Sequence, residues 1–284
     1  MPNSRPKTMY EKADWRVIHT GSLDGSSNEA TDEAIHEMVG REQSPATLRF
    51  SGWKPGYLSL GKEQSWVVVN EAGCESNGWD IVRRITSGRA ILQVDGLSVN
   101  VTMPAIDPRS SGDDFDRFNL VSSCFNAALK AMGLNPDRSR PVYGDRGPSG
   151  LACFDGPSEY QITAGGRKLV CGTVRSEGNA VSIQCTLPLF GDTGRISDAL
   201  RFDYPGQRLA LVARISYRSV TLESLLGRRM DLEEVIDYIR AGFAKVMNVE
   251  LTSGDLSEAE ATRAADLRTE KYSTEEWTKG SVRF

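Results

Sequence analysis

Arg83, Arg84 and Arg89 surround Gly88 in the stretch "VRRITSGRAILQVDG", Val82 to Gly96. A glycine takes backbone angles closed to other residues and lets a ligand approach the main chain. Three fixed cations around it can hold a phosphate or carboxylate by charge-assisted bonds. Short basic glycine turns are common, so the plain alternative is a strand–turn–strand with solvated arginines. A second feature is "ACFDGPSEYQI", where Cys153 follows an irregular Gly/Pro loop and its thiol can be accessible. A lone cysteine is more often a small buried hydrophobe, and Cys124, on the apolar face of a helical stretch, reads that way. A free thiol is scarcely ionised at neutral pH, so nucleophilic work needs a partner that stabilises the thiolate. His19 and His36 both fall near the N-terminus and read as structural. Lys168, in "GGRKLVCG", is the nearer candidate. If residues 153–176 form adjacent strands, its amine approaches Cys153 across the sheet and favours the charged sulfur. The alternative for Lys168 is a solvated strand lysine.

The elements that must position these groups can be read from periodicity. "DWRVIHTG" (14–21) alternates as a strand, and "SSNEATDEAIHEMVG" (26–40), with a capping serine and a closing glycine, reads as a helix. Two short strands flank a Gly/Pro turn in 46–61, and a short helix feeds the strand that ends at Val82. "AILQV" and "LSVNVTM" follow the arginine loop as partly buried strands. Residues 112–134 are the clearest helix, with Phe115, Phe118, Val121, Phe125, Ala128 and Met132 at three- and four-residue steps. "EYQITAGGRKLVCGTV" predicts a hairpin turned at Ala-Gly-Gly, and "AVSIQCTLPLF" a further strand. The tail reads as helical, amphipathic over 231–247 and polar and surface-lying over 257–272. Helices alternate with short, often antiparallel strands without regular βαβ spacing, so the expected class is α+β. The expected division is a catalytic domain over 1–230, with a C-terminal helical segment over 231–284 packed on it or continuing it.

Composition narrows the function. The chain has 284 residues, 39% of them hydrophobic and 25% charged, ordinary values for a protein with a sizeable core. Its 34 basic and 38 acidic side chains leave a net charge of −4, against broad nucleic-acid or anionic-membrane binding. No apolar run is long enough to span a membrane, and the N-terminus lacks the apolar stretch of a signal peptide. Five scattered cysteines without a CxxC pair, and only two histidines, argue against a disulfide framework or a metal site. A reducing cytoplasm is the default location.

Taken together and in order, "SLG" followed by Gln64, "RRITSGRAILQVDGLSV", "ACFDGPSEYQI" and "GRKLVCGTVR" resemble the lipoate–protein ligase and octanoyltransferase superfamily. The resemblance runs from "WRVIHTG…NEATDEAI" to "LRTEKYSTEEW", most of the chain. It implies the biotin/lipoate ligase type of catalytic domain: a mixed, largely antiparallel sheet with packed helices and a short helical C-terminal extension. The family's arginine–glycine loop, which cradles the acyl chain and its carbonyl end, falls on Arg83, Arg84, Thr86, Ser87, Gly88, Arg89 and Ala90. Its invariant-type lysine falls on Lys168. Ser-Gly-Arg-Ala-Ile-Leu and Ala-Cys-Phe are most similar to the cysteine-dependent octanoyltransferases that act on the glycine cleavage H protein. Two positions depart from that branch: Ser87 replaces a glycine, and Gln93 stands where a histidine is usual.

The resemblance implies transfer of an octanoyl group from acyl carrier protein to a lysine of a lipoyl-type domain or H protein. Cys153 would form the acyl-thioester and Lys168 would lower its pKa, with no cofactor or metal required. "AILQV" and "LSVNVTM" are expected to wall the acyl slot, where each buried CH₂ contributes about 0.8 kcal/mol. Arg138 and Arg140 are expected to form a docking rim for acidic carriers. Two alternatives stay open. An ATP- and Mg-dependent lipoate or octanoate ligase would hold an acyl-adenylate with the arginine loop and Lys168. A non-catalytic protein would only bind lipoate or carrier domains. The expected enzyme works as a monomer, without nucleic acid or membrane.

Overall fold

The computed structural model describes residues 10–137, 150–156 and 161–280. Its elements are, in order, β1 (Ala13–Leu23), α1 (Gly25–Gly40), β2 (Thr47–Trp53), β3 (Tyr57–Leu60), α2 (Glu71–Ser76), β4 (Asp80–Arg83), β5 (Ile91–Gln93), β6 (Gly96–Pro104) and α3 (Asp114–Ala131). After them come β7 (Gln161–Ala164), β8 (Arg167–Glu177), β9 (Ala180–Pro188), α4 (Pro205–Arg218), α5 (Leu222–Leu226), α6 (Leu232–Met247), β10 (Val249–Ser253), α7 (Glu258–Leu267) and α8 (Glu275–Lys279). A seven-stranded sheet runs β10-β1-β2-β6-β9-β8-β7, and a three-stranded sheet runs β4-β3-β5. In the large sheet only β10–β1 and β1–β2 are parallel. The remaining neighbours are antiparallel. The fold is therefore α+β with a mixed, largely antiparallel sheet, as the pattern of elements predicts.

Strand alternation gives the large sheet two unlike faces. Leu48 and Phe50 of β2, Leu97, Val99, Val101 and Met103 of β6, and Val181, Ile183, Cys185 and Leu187 of β9 pack into the main core with α3 and α6. Phe125 of α3 meets Phe243 of α6 edge to face, centroids 5.9 Å apart. This settles one expectation against the sequence reading. "LSVNVTM" belongs to the core of the sheet and not to a ligand slot, because β6 is central and its apolar side faces the helices.

The opposite face presents Arg49 and Ser51, Ser98, Asn100 and Thr102, and Ser182 and Thr186, all buried. Helix α1 covers it with side chains of matching polarity. Arg49 pairs with Asp32 at 2.5 Å and donates to Asn28 Oδ1 at 2.7 Å. Gln184 donates to Asp32 Oδ2, and His36 Nδ1 lies 2.7 Å from Ser182 Oγ. Burial, with Arg175 nearby, holds the His36 pKa down at about 4, so this histidine is neutral and structural. Asp24, not a serine, caps α1, its carboxylate accepting from Ser27 N at 2.9 Å. Glu29, fully enclosed beside Tyr57 and Ser59, is raised to about 7, first by burial and then by Asp32, against the pull of Arg84.

The tail departs from the expected all-helical segment. Val249 to Ser253 form β10, the parallel edge strand beside β1. The segment 257–272 lies on the surface, as its composition indicates, with most of its residues exposed and Glu260, Leu267 and Tyr272 turned inward. Glu260 is fully buried and takes Arg16 Nη2 at 2.5 Å, while Tyr272 is buried and donates to Glu33 Oε2 at 2.6 Å. Its inward polar groups are met by charges on β1 and α1.

Arg83, at the end of β4, ties this tail to the small sheet. Its Nε donates to Trp277 O and Thr278 O, and its Nη1 to the carbonyls of Gly61, Lys62 and Gln64. Replacing Arg83 with methionine strands these acceptors in the interior. Urea unfolding should show a loss of about 3 kcal/mol or more at an unchanged m-value; a loss within experimental error would refute the role. Glu29 makes a pH-dependent contribution. Its folded pKa lies above the unfolded value, so its stabilisation is complete below about 4.5 and fades as pH rises through about 7. Glu29→Gln should flatten that decline in chemical-denaturation midpoints between pH 5 and 8, relative to wild type.

Candidate active site

The arginine loop of residues 84–90 leaves β4 and returns as β5, held from beneath by Arg84. This guanidinium is buried, and it donates to Ser59 O, Ser87 O and Arg89 O at 2.9 to 3.0 Å. Arg84 N and Lys62 N close the loop onto the end of β3 through Leu60 O and Thr86 O. Gly88 has φ +108°, open to glycine and strained for other residues. A Cβ on Gly61 would lie 1.8 Å from Gly88 O, so only glycine lets the two segments touch. Thr86 is buried and its hydroxyl meets Thr173 Oγ1 at 3.1 Å, while Ser87 is exposed and donates to Glu63 at 3.0 Å.

Arg83 and Arg84 are thus not solvated: both donate to main-chain carbonyls and build the loop, while Arg83 Nη2 and Arg84 Nε are buried without a hydrogen-bond partner. Arg89 is different. It is half-buried, and its guanidinium makes no hydrogen bond or ion pair to a described residue. Its Nη1 would lie 2.8 and 3.2 Å from Cβ atoms placed on Gly150 and Gly156, so it borders the cysteine turn.

The loop in turn positions Cys153. Ala90 N donates to Leu151 O, and Cys153 N donates to Ala90 O at 2.8 Å, a single parallel bridge. Gln64 Nε2 also holds Leu151 O, at 2.9 Å. Residues Cys153–Asp155 then form one 3-10 turn, not the strand that an approach across a sheet requires. Arg214 of α4 grips the buried Asp155 carboxylate at 2.6 and 3.1 Å, and Arg218 donates to Asp155 O.

Lys168 reaches the turn from β8. Its Nζ lies 2.8 Å from Cys153 O and 2.5 Å from Gly156 O, and the side chain is buried. The route depends on a bulge. Ile162 pairs with Val170 but Thr163 with Lys168, leaving Leu169 unpaired. That extra residue puts Lys168 and Cys171, three apart in sequence, on one face of β8. Cys171 is the group that sequence reading passed over. Its thiol hydrogen-bonds the half-buried Cys153 sulfur. That bond, then Lys168, Arg84 and Arg89, bring Cys153 down to about 6 against the opposing effect of burial. Cys171, enclosed in apolar surroundings, is driven well up and stays protonated as donor. Of the two sulfurs, Cys153 is thus the one shifted towards the thiolate and Cys171 the one held towards the thiol. The only sequence signal for Cys171 was its nearness to Lys168, and strict strand alternation would have sent it to the other face.

A cavity lies one residue along the chain, at Phe154: Leu92, Val94, Phe154, Pro188, Phe190 and Ile196 line it together with Asp95, Thr186, Asp192 and Thr193. "AILQV" therefore contributes its wall. Gln93 points away and pairs with Thr186, Nε2 to Oγ1 at 3.0 Å, so it orders β5 against β9. His19 faces Glu233 at 3.3 Å and His36 lies under α1; neither contacts Cys153. Among the described residues there is no cluster of metal-ligand side chains. Arg138 and Arg140 lie outside the described residues. A half-buried sulfur shifted towards the thiolate by cations, one residue from a largely apolar cavity, is equipped for nucleophilic attack on an acyl carbonyl with an aliphatic tail.

Comparison with known proteins agrees with this chemistry. The lipoyl protein ligase A/B catalytic domain family matches residues 24–244. A protein named octanoyltransferase LipM from Moorella thermoacetica is 32% identical over 270 residues, spanning 93% of this chain and 97% of its own. The octanoyltransferase LipM of Symbiobacterium thermophilum is likewise 32% identical, covering 94% and 98%. In structure, a bipartite lipoate protein ligase from Thermoplasma acidophilum superposes with a TM-score of 0.79 at 19% identity, covering 96% of this chain and 98% of that one. A lipoate-protein ligase A bound with ATP gives 0.76 at 21%, over 96% and 100%; at such identities these two speak for the fold alone. The chain belongs to the family of lipoyl protein ligase A/B catalytic domains.

Proposed function

We propose that this protein is an octanoyltransferase of lipoate assembly, which carries the acyl group as a thioester on Cys153. The observation that carries the reading is the Cys153 turn: a half-buried thiol, with Lys168 bonded to the turn's carbonyls and Cys171 and Arg84 shifting the sulfur towards the thiolate, one residue from Phe154 of the largely apolar cavity. The printed activity of the relatives, similar over nearly the whole chain, supports octanoyl as the group moved.

Cys153 thiolate attacks the carbonyl of an octanoyl thioester on acyl carrier protein. Charge grows on the carbonyl oxygen and is stabilised by the Lys168 ammonium and the Arg89 guanidinium. The C–S bond to the carrier breaks, and the carrier thiolate leaves and takes a proton from water. The new thioester keeps the activation of the old one, because thiol–thioester exchange is nearly balanced in energy. A neutral lysine amine of the acceptor then attacks, Cys153 thiolate departs, and the amine gives one proton to the hydroxide left by the first step, so that the amide forms. The donor thioester supplies the driving force, so the reading requires neither ATP nor metal. A lipoyl-type domain or H protein is the acceptor; the superposable archaeal ligase was determined as part of a system with its E2 lipoyl domain, which supports that class. The proposed location is the cytoplasm and the proposed state a monomer. Among the described residues no helix is long and apolar enough to cross a membrane.

Intact-mass spectrometry after incubation with octanoyl-carrier protein should show wild-type protein gaining one octanoyl group, and Cys153→Ala neither acylated nor active. Amide product formed by Cys153→Ala from free octanoate and Mg-ATP would replace this reading with the ligase. The pH dependence is equally specific. Alkylation of Cys153 by iodoacetamide should rise through a midpoint near about 6. Cys171→Ala removes the thiol donor, and Lys168→Met one cation, so each should move the midpoint up. The larger move belongs to Cys171→Ala, with alkylation at pH 7 slower on the order of tenfold. An unmoved midpoint in Cys171→Ala would show that the second thiol does not hold the charge.

A further inference from the structure

Five large apolar side chains stand exposed among the described residues, and four of them gather in one region. Tyr204, Leu209 and Tyr217 belong to α4 and its N-terminal cap, and they are 59%, 67% and 79% exposed. Val67 is the fourth. It sits where Arg201 N donates to Val68 O and Val69 bridges to Leu200. On α4, Leu209, Ala213 and Tyr217 fall at four-residue steps along one outer line, while Leu211 and Ile215 point into the core. Clustered exposed apolar groups on a globular surface mark an interaction site.

Arginines line the same surface although the chain is net acidic. Arg201 and Arg208 are exposed beside Tyr204, at a groove that also takes in Asn70. Asp198 pairs with Arg208 and Asp155 with Arg214, which leaves Arg201 and Arg218 as the arginines of this surface without a carboxylate partner among the described residues, beside Asp203, which accepts from Gln207. The far end of α4 meets the site directly, since Arg214 and Arg218 hold the residue two beyond Cys153.

We infer that the outer face of α4 with Arg201 and Val67 is the docking surface for the acyl donor, a small acidic carrier protein bearing its thioester on a long flexible arm. This rests on the transfer reading above. Charge and apolar exposure fit an acidic partner with an apolar docking centre. Reach selects the donor over the acceptor. Arg208 and Arg218 are separated by about 15 Å along the helix axis, at 1.5 Å per residue. A carrier seated over that length still delivers its acyl group to Cys153 through an extended arm. A lysine side chain reaches only a few ångströms from its backbone, so the acceptor must sit at the sulfur itself.

Acyl-enzyme formation should be measured with octanoyl-carrier protein and with octanoyl-pantetheine, in wild type and in Arg208→Glu/Leu209→Glu. The variant's KM for the carrier-bound donor should rise about tenfold or more, a typical cost for losing central contacts of an interface. Its kinetics with octanoyl-pantetheine should match wild type, which also shows that it folds. Added salt should raise the wild-type KM for the carrier and leave that for the small thioester unchanged. Equal changes with both donors, no change with either, or a rise confined to the KM of the acceptor domain overturns the assignment. Wild-type protein that takes no acyl group from either donor overturns the transfer reading itself, and the docking assignment with it.

Discussion

The Lys168 ammonium, buried and bonded to the carbonyls of Cys153 and Gly156, ties the reactive turn to the central sheet. An ammonium removed from water carries a desolvation cost of several kcal/mol unless dipoles and an opposite charge answer it. Two carbonyls supply the dipoles, and the neighbouring sulfur supplies the charge when ionised. The dependence is mutual. The sulfur ionises because cations and a thiol donor face it, and the lysine tolerates burial because carbonyls and sulfur face it. Placement of β8, including its bulge at Leu169, is therefore a condition of the chemistry and not a detail of the sheet.

A series of main-chain contacts fixes the other side of the turn. Ser59 O holds Arg84, Arg84 holds the carbonyls of Ser87 and Arg89, and Ala90 holds Leu151 and Cys153. The close packing of Gly61 on Gly88 O leaves the loop little room to shift. Buried guanidiniums serve here as fork-shaped braces, each satisfying several carbonyls that a loop leaves unpaired. Beneath them lies the polar layer between α1 and the sheet, where Glu29 comes within the influence of Arg84. Such a layer specifies one arrangement only while its members are satisfied together. That explains why an acidic, weakly amphipathic helix can occupy the interior.

Comparing particular residues shows how far the sequence reached. The strands around the arginine loop, the long helix from Asp114 and the Gly165-Gly166 hairpin follow from periodicity and turn residues, which are local properties. The polar segment 257–272 lies on the surface as its composition indicates, but nothing local shows that its inward groups are tied to Arg16 and Glu33, distant in sequence. For the arginine pair, charge and a nearby glycine suggest a ligand, and nothing local shows that carbonyls of Gly61, Lys62, Gln64 and Trp277 also converge on Arg83.

Residue types and order alone placed the chain in its family and picked out Cys153, Lys168 and the loop at Gly88, since those motifs are continuous stretches. Tertiary structure alone decided that a second thiol faces the first, that Arg89 rather than Arg83 or Arg84 keeps its guanidinium unbound by described residues, and that "AILQV" but not "LSVNVTM" borders the cavity. The reason is physical. A strand's two-residue alternation predicts which side a residue takes, but a one-residue bulge reverses it, and whether a charge is open or satisfied depends on groups brought near from far along the chain.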